Sequence, residues 1–187
     1  MGPLVEGPDH VSRRYRSPVD LRSRILTTVV VVTVILASLL FGFMSRPYQL
    51  VSALFLAFAG IVLALAYTFK PIAYGMAPDG LTIFFPWRRM RIPWSSITAV
   101  RLEPRNKAFQ SVRVMGSGGV FGQIGRYWSA ALGMHLRLVT DRSRVVVLDR
   151  KVPYCLSPDD PDRFVREAQE YLGNVEQGAR PRAIRFE

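Results

Sequence analysis

The hydrophobic pattern changes character once along the chain. Residues 25–69 are apolar with one short break; beyond Lys70 the pattern splits into short alternating runs. The first apolar run, 25–44, reads ILTTVVVVTVILASLLFGFM, and the second, 50–69, reads LVSALFLAFAGIVLALAYTF. Each is 20 residues long and carries no charge. At about 1.5 Å per residue a helix of that length crosses the ~30 Å hydrocarbon core of a bilayer. Both runs are apolar on every side, which a domain of this size has no means to bury. A cleavable signal peptide fits poorly, because the first run is long, lacks a small-x-small site and is followed at once by a second. Glu6 stands where a myristoylation signal needs Ser or Thr. The pattern predicts two transmembrane helices, antiparallel because only SRPYQ (45–49) joins them. Ser38, Gly42, Ser52, Ala53, Ala57, Ala59 and Gly60 offer small surfaces for close approach. Tyr48 and Tyr67 fall near the two interfaces. Neither run holds an ionisable group, which argues against a proton relay or ion path.

Beyond Lys70, strands are predicted at 72–76, 81–85, 90–94, 98–103, 111–115, 134–140, 144–148 and 152–156. Pro78-Asp79-Gly80 is a turn signal. Residues 104–109 read as a polar loop. The strands 134–140 and 144–148 flank Asp141-Arg142-Ser143 and read as a hairpin. SPDDPDRF announces a helix. Ser157 or Asp159 can cap it, Pro161 suits its first turn, and Asp159, Asp160 and Asp162 favour its positive end. Phe164, Val165, Ala168, Tyr171 and Leu172 follow at helical spacing, and Gly173-Asn174 should stop it. The expected fold is a small all-β sandwich or open barrel of about seven strands, capped by one C-terminal helix that buries Phe164, Tyr171 and Leu172. The division is 1–24 basic segment, 25–69 membrane hairpin, 70–174 β domain and 175–187 polar tail.

Charge adds an orientation. The formal net charge is +11. Five Arg and three acids precede the first run, one Arg lies in the loop, and nineteen basic against eleven acidic residues follow the second run. Basic flanks mark the cytoplasmic side, so both termini are expected there. A cationic domain beside an anionic leaflet gains about 1 kcal/mol per basic residue near the surface. Nucleic acid is not an expected partner, since the charge is scattered and no nucleic-acid-binding motif is present. The lone Cys155 rules out an internal disulfide and suits a reducing compartment.

Three segments carry a family resemblance: DGLTIFFPWRRMRIPWSSITAV (79–100), GSGGVFGQIGRYW (116–128) and LSPDDPDRFV (156–165). Their order resembles the bacterial pleckstrin-homology-like (PH) domains, in particular a form joined to two N-terminal membrane helices, over about residues 25–173. The resemblance implies a PH-like fold tethered to the cytoplasmic face of a bacterial inner membrane. It implies an adaptor or scaffold role and no family-wide catalytic residue or cofactor.

Two stretches are candidates for contact with a ligand or partner. MGSGGVFGQIGRYW (115–128) is not a P-loop, since no Lys follows and a strand comes next. Nor is it a dinucleotide fingerprint, since Phe121 stands where the third glycine belongs. It reads as an 18-residue loop, 116–133, too apolar for disorder. Phe121, Ile124, Arg126, Tyr127 and Trp128 must pack on the domain, meet a partner or enter the bilayer interface. The second stretch is the hairpin FFPWRRMRIPW (84–94), where Trp87, Arg88, Arg89 and Arg91 bring an aromatic and three guanidinium groups to one tip. Guanidinium suits phosphate recognition, and by position the tip is analogous to the lipid-binding hairpin of eukaryotic PH domains. A solvated basic tip that reinforces the topology is the plainer alternative.

Enzymatic signals are weak. His10 and His135 are far apart, Asp159, Asp160 and Asp162 are explained by a helix start, and Cys155 sits in an apolar strand. The sequence points to an integral membrane, non-catalytic binding or scaffold module that contacts anionic lipid headgroups, a protein partner or a second copy. The alternative is an accessory or assembly subunit of a larger complex, such as a transporter or cell-envelope machine.

Overall fold

The computed structural model describes residues 13–43, 46–103 and 111–179. His10, part of the interhelical connection, the expected loop at 104–109 and the tail beyond 179 lie outside the described residues.

The first described element is a strand that the sequence pattern did not predict. β1 (Arg13–Arg16) pairs antiparallel with β2 (Ala73–Ala77), with Tyr15 opposite Tyr74. Between these partners run the two apolar helices, α1 (Leu21–Gly42) and α2 (Arg46–Thr68). The helical hairpin therefore occupies the place of a β1–β2 turn. The Asp20 side chain caps α1 by accepting from the Ser23 N–H at 2.8 Å. Both helices are long and apolar enough to span a membrane. They meet where Ser52 Oγ donates to the Ser38 carbonyl at 2.6 Å. Of the small residues expected there, Ser38 and Ser52 are buried, whereas Ala53, Ala57 and Gly60 face outward.

β2, β3 (Gly80–Phe84) and β4 (Arg89–Pro93) continue as a meander, giving a four-stranded sheet in the order β1-β2-β3-β4. A short 3₁₀ turn, Trp94–Ser96, leads to the second sheet. Its strands are β5 (Ala99–Glu103), β6 (Val112–Gly119), β7 (Gly122–Ser129), β8 (Gly133–Val139), β9 (Val145–Asp149) and β10 (Tyr154–Leu156), in the order β5-β9-β10-β8-β7-β6. The two sheets form an open PH-like sandwich rather than a closed barrel.

Two expectations fail here. The 18-residue loop does not exist: β6 and β7 form a hairpin that turns at Val120-Phe121. The glycines make this possible. Gly116 and Gly125 face each other at φ 121° and 141°, and a Cβ on Gly125 would stand 2.1 Å from the Met115 carbonyl oxygen. The expected 134–140/144–148 hairpin also fails, because β10 lies between β8 and β9, parallel to the first and antiparallel to the second. The Asp141 side chain bends the β8–β9 connection by accepting from the Ser143 N–H. Ser157, just after β10, holds that bend by accepting from the N–H groups of Thr140 and Asp141.

Helix α3 (Pro161–Ala179) closes the sandwich. Its cap is Asp160, which accepts from the Arg163 N–H, and not Ser157 or Asp159. It continues through Gly173-Asn174 instead of stopping there. Gly173 carries only about a 1 kcal/mol helix penalty, which does not end a helix already docked along its first three turns. Phe164 and Ala168 enter the core, and Tyr171 stacks on Trp94 at 5.3 Å. Tyr15 meets the edge of Phe164 at 5.2 Å and donates to Glu167 at 2.6 Å, so α3 also clasps β1. Buried between the sheets, Tyr74 donates to the Leu138 carbonyl, and Ser17, Thr140 and Ser157 complete the polar cluster around it.

Candidate membrane-facing site

One end of the sandwich faces the helices, and the two candidate stretches both reach it. At the β6–β7 turn, Phe121 is held at φ 61°, unusual for a bulky residue. Its ring meets the edge of Tyr67 from α2 at 5.7 Å, and its N–H donates to Thr27 Oγ1 of α1 at 3.2 Å. The hairpin tip is thus fixed to both helices. Lys70 Nζ lies 5.9 Å from the Tyr67 ring and 6.0 Å from that of Phe121. Burial, assisted by the nearby Arg24 charge, holds its ammonium below the ordinary lysine range. At the β3–β4 turn, the Arg88 guanidinium stacks over Phe85 at 4.6 Å and over Phe69, just past the end of α2, at 5.1 Å. A third tie lies at the start of α1. There Asp20 donates its N–H to the Thr140 carbonyl, and its carboxylate stands 3.8 Å from Arg142.

Between these ties lies a cavity of about 800 Å³. Val34, Phe58 and Val62 wall it on the helix side, and Met90, Leu136 and Leu138 on the sheet side. Arg88 from one sheet and Arg126 from the other also line it.

The predicted site residues are not gathered into one site. Trp87, 82% exposed, stands at the β3–β4 tip beside Arg88. Arg89 and Arg91 are not gathered with Arg88: Arg89 lies over the Phe84 ring with Arg14 close by, and Arg91 pairs with Asp79 at the far end of the hairpin. Phe121 and Arg126 face the helix junction and the cavity. Ile124 is buried in the main core while also lining the cavity. Tyr127 turns to the opposite face, buried, and donates to the Ser117 carbonyl at 2.9 Å. Trp128 is half exposed, opposite Val112 on one side and Met134 on the other.

Sequence reasoning missed Thr27, Tyr67, Phe69, Lys70 and Phe85 as parts of this junction. Four of them stand within an apolar run or strand, where nothing marks a cross-domain contact. Lys70 had a signal, as the first charge after the second run. On the opposite face of the large sheet lie Tyr127, His135, Arg137 and Cys155. Burial raises the Tyr127 phenol, lowers the His135 imidazole and pushes the Cys155 thiol up to about 11. A thiol held protonated is a poor nucleophile.

Residues 72–171 match the family described as Bacterial PH domain. The match begins at β2 and ends within α3, so β1 and both apolar helices lie outside it. No curated protein and no solved structure matches the chain. With the family matched over more than half its length and a two-sheet sandwich closed by a C-terminal helix, the chain belongs to the bacterial PH domain family.

Proposed function

We propose that the chain is a non-catalytic binding or scaffold module, anchored by α1 and α2 in the inner membrane of a bacterium with both termini cytoplasmic. Its helix-facing end contacts anionic lipid. One observation carries this reading: the β3–β4 and β6–β7 turns, with Arg88 and Lys70, converge on the ends of the two apolar helices. Arg22 and Arg24, exposed in the first turn of α1, add to the same zone. Charges at that level would sit among headgroups, each contributing about 1 kcal/mol on an anionic leaflet.

The test is fluorescence quenching of the full chain in vesicles by lipids brominated near the headgroup. Trp87 and Trp128 are exposed and Trp94 is buried. Quenching that disappears in Trp87→Phe, and that deepens when phosphatidylglycerol replaces phosphatidylcholine, supports the reading. Trp87 emission indifferent to brominated lipid refutes it.

A second reading, an interface with a protein partner, a second copy or a larger complex, is favoured by the outer edge of the same sheet face. The edge strand β6 exposes Val112, Val114 and Met115, and Trp128 and Met134 extend that apolar row across β7 and β8. Exposed apolar edge strands invite pairing. Crosslinking in intact membranes from a photoreactive residue at Val114 tests it.

A further inference from the structure

The cavity between helices and sandwich calls for an occupant. It is an open groove rather than an enclosed void, since Phe58 and Val62 on its helix side and Arg126 on its sheet side are exposed. Small-molecule sites are clefts of roughly 300–1,000 Å³ with apolar walls and few polar groups, and this groove, at about 800 Å³, has that size and lining. Its helix-side wall is made of Val34, Phe58 and Val62, side chains of the segments long enough to span a bilayer. Val34 lies thirteen positions into α1, roughly 20 Å from its start. On the membrane reading above, the groove would open toward the hydrocarbon layer and its occupant would arrive sideways from the bilayer.

An acyl chain moving from bilayer to cavity leaves one apolar medium for another, so apolar burial gives little selectivity. The charged groups decide. Arg88 and Arg126 line the cavity from opposite sheets, and neither is paired with an acid among the described residues. Arg91 and Arg101, by contrast, pair with Asp79 and Asp149. No Asp or Glu lines the cavity among the described residues. Arg88 is also braced on two rings, a preorganised donor fork for phosphate.

We propose that the cavity holds one acyl chain of a single anionic phospholipid, whose headgroup phosphate is taken by Arg88 and Arg126. This deepens the membrane reading above and rests on it. The mouth of the sandwich is a lipid-selective slot, distinct from the annular lipid around the helices.

The test places the photoreactive residue p-benzoylphenylalanine at Leu136, on the sheet-side wall, or at Phe43, exposed beyond the end of α1. The full chain is reconstituted in vesicles of equal phosphatidylglycerol and phosphatidylcholine, and crosslinked lipid is identified by mass spectrometry. Leu136 is expected to label phosphatidylglycerol about thirtyfold over phosphatidylcholine, given two basic contacts at about 1 kcal/mol each. Arg88→Gln with Arg126→Gln should erase that preference, while Phe43 labels both lipids alike. A second probe at Met90 replaces Leu136 if that variant does not fold. Absence of lipid label at the cavity positions with normal label at Phe43 overturns the proposal, as does equal labelling untouched by the Arg substitutions. Absence of label at Phe43 as well overturns the membrane reading itself.

Discussion

Strand β1 makes the most demanding prediction, because nothing in the family match requires it. Tyr15 is its one buried side chain, edge-on to Phe164 and hydrogen-bonded to Glu167. Tyr15→Phe keeps the ring and removes only the bond to the carboxylate. Hydrogen bonds to charged groups contribute about 1.5–3 kcal/mol. Glu167 retains Arg13 and Arg163 and remains partly solvated, so the loss should sit near the low end, about 1–2 kcal/mol. Tyr15→Ala removes the ring as well and should destabilise the β domain by about 3–5 kcal/mol. The assay is urea unfolding of the full chain in mild detergent, followed by near-ultraviolet circular dichroism. Hydrogen exchange of the β2 amides gives a local reading. In Tyr15→Ala, exchange at Tyr74 and Met76 should quicken with the global loss. If Tyr15→Ala unfolds at the same urea concentration as the wild type, β1 is not part of the sheet. The fragment 70–187 would then be a complete domain, whereas the pairing seen here makes it a domain lacking an edge strand.

Three further outcomes follow from single sites. Burial alone would raise the Glu167 carboxyl, but hydrogen bonds from Tyr15, Arg13 and Arg163 outweigh it and hold the group below 4.5. Its stabilising share is therefore present at neutral pH and lost as pH falls from 4.5 through the lowered folded value. The stability gap between wild type and Glu167→Gln should close over that range in pH-dependent unfolding. Gly125→Ala would drive a Cβ against the Met115 carbonyl at a backbone conformation reserved for glycine. It should destabilise by about 3 kcal/mol or more and quicken exchange in β6 and β7 first. Cys155 is buried and its thiol is raised, so maleimide should label it only after denaturation. Rapid labelling of the native chain would contradict the burial of β10.

Which elements the sequence disclosed follows from how their signals are written. The two apolar runs and most strands after Lys70 are visible because burial on one side or all sides leaves a period in the side chains. The 116–133 stretch hid β7 and the second half of β6, whose first half falls in the strand expected at 111–115, because glycine erases that period: Gly116, Gly118, Gly119, Gly122 and Gly125 carry no side chain to count. Yet those glycines are what bring β6 and β7 so close. β1 hid for the opposite reason, as RRYR offers one buried position in four and reads as a charged flank. β10 is the strand expected at 152–156, but nothing in its side-chain pattern says that it inserts between β8 and β9. Of the candidate site, the aromatic and basic residue types were legible. Their sorting was not: Arg91 pairs with Asp79, Tyr127 faces away, and Phe121 alone reaches both helices.

The topology also decides how the domain can move. A module on one tether samples many orientations, and its basic surface meets the membrane only part of the time. Here the chain enters α1 from β1 and returns from α2 into β2, and these strands are hydrogen-bonded neighbours. Ser17 N–H donates to the Ile72 carbonyl, so the entry and exit segments are themselves paired. Two adjacent covalent connections fix the axis between helices and sheet. Asp20 on Thr140 and Phe121 on Thr27 then resist rotation about that axis. On the proposed lipid reading, Arg88 and Arg126 would then need no search to face the hydrocarbon boundary, because the ordering cost that weakens a tethered binder would be met during folding.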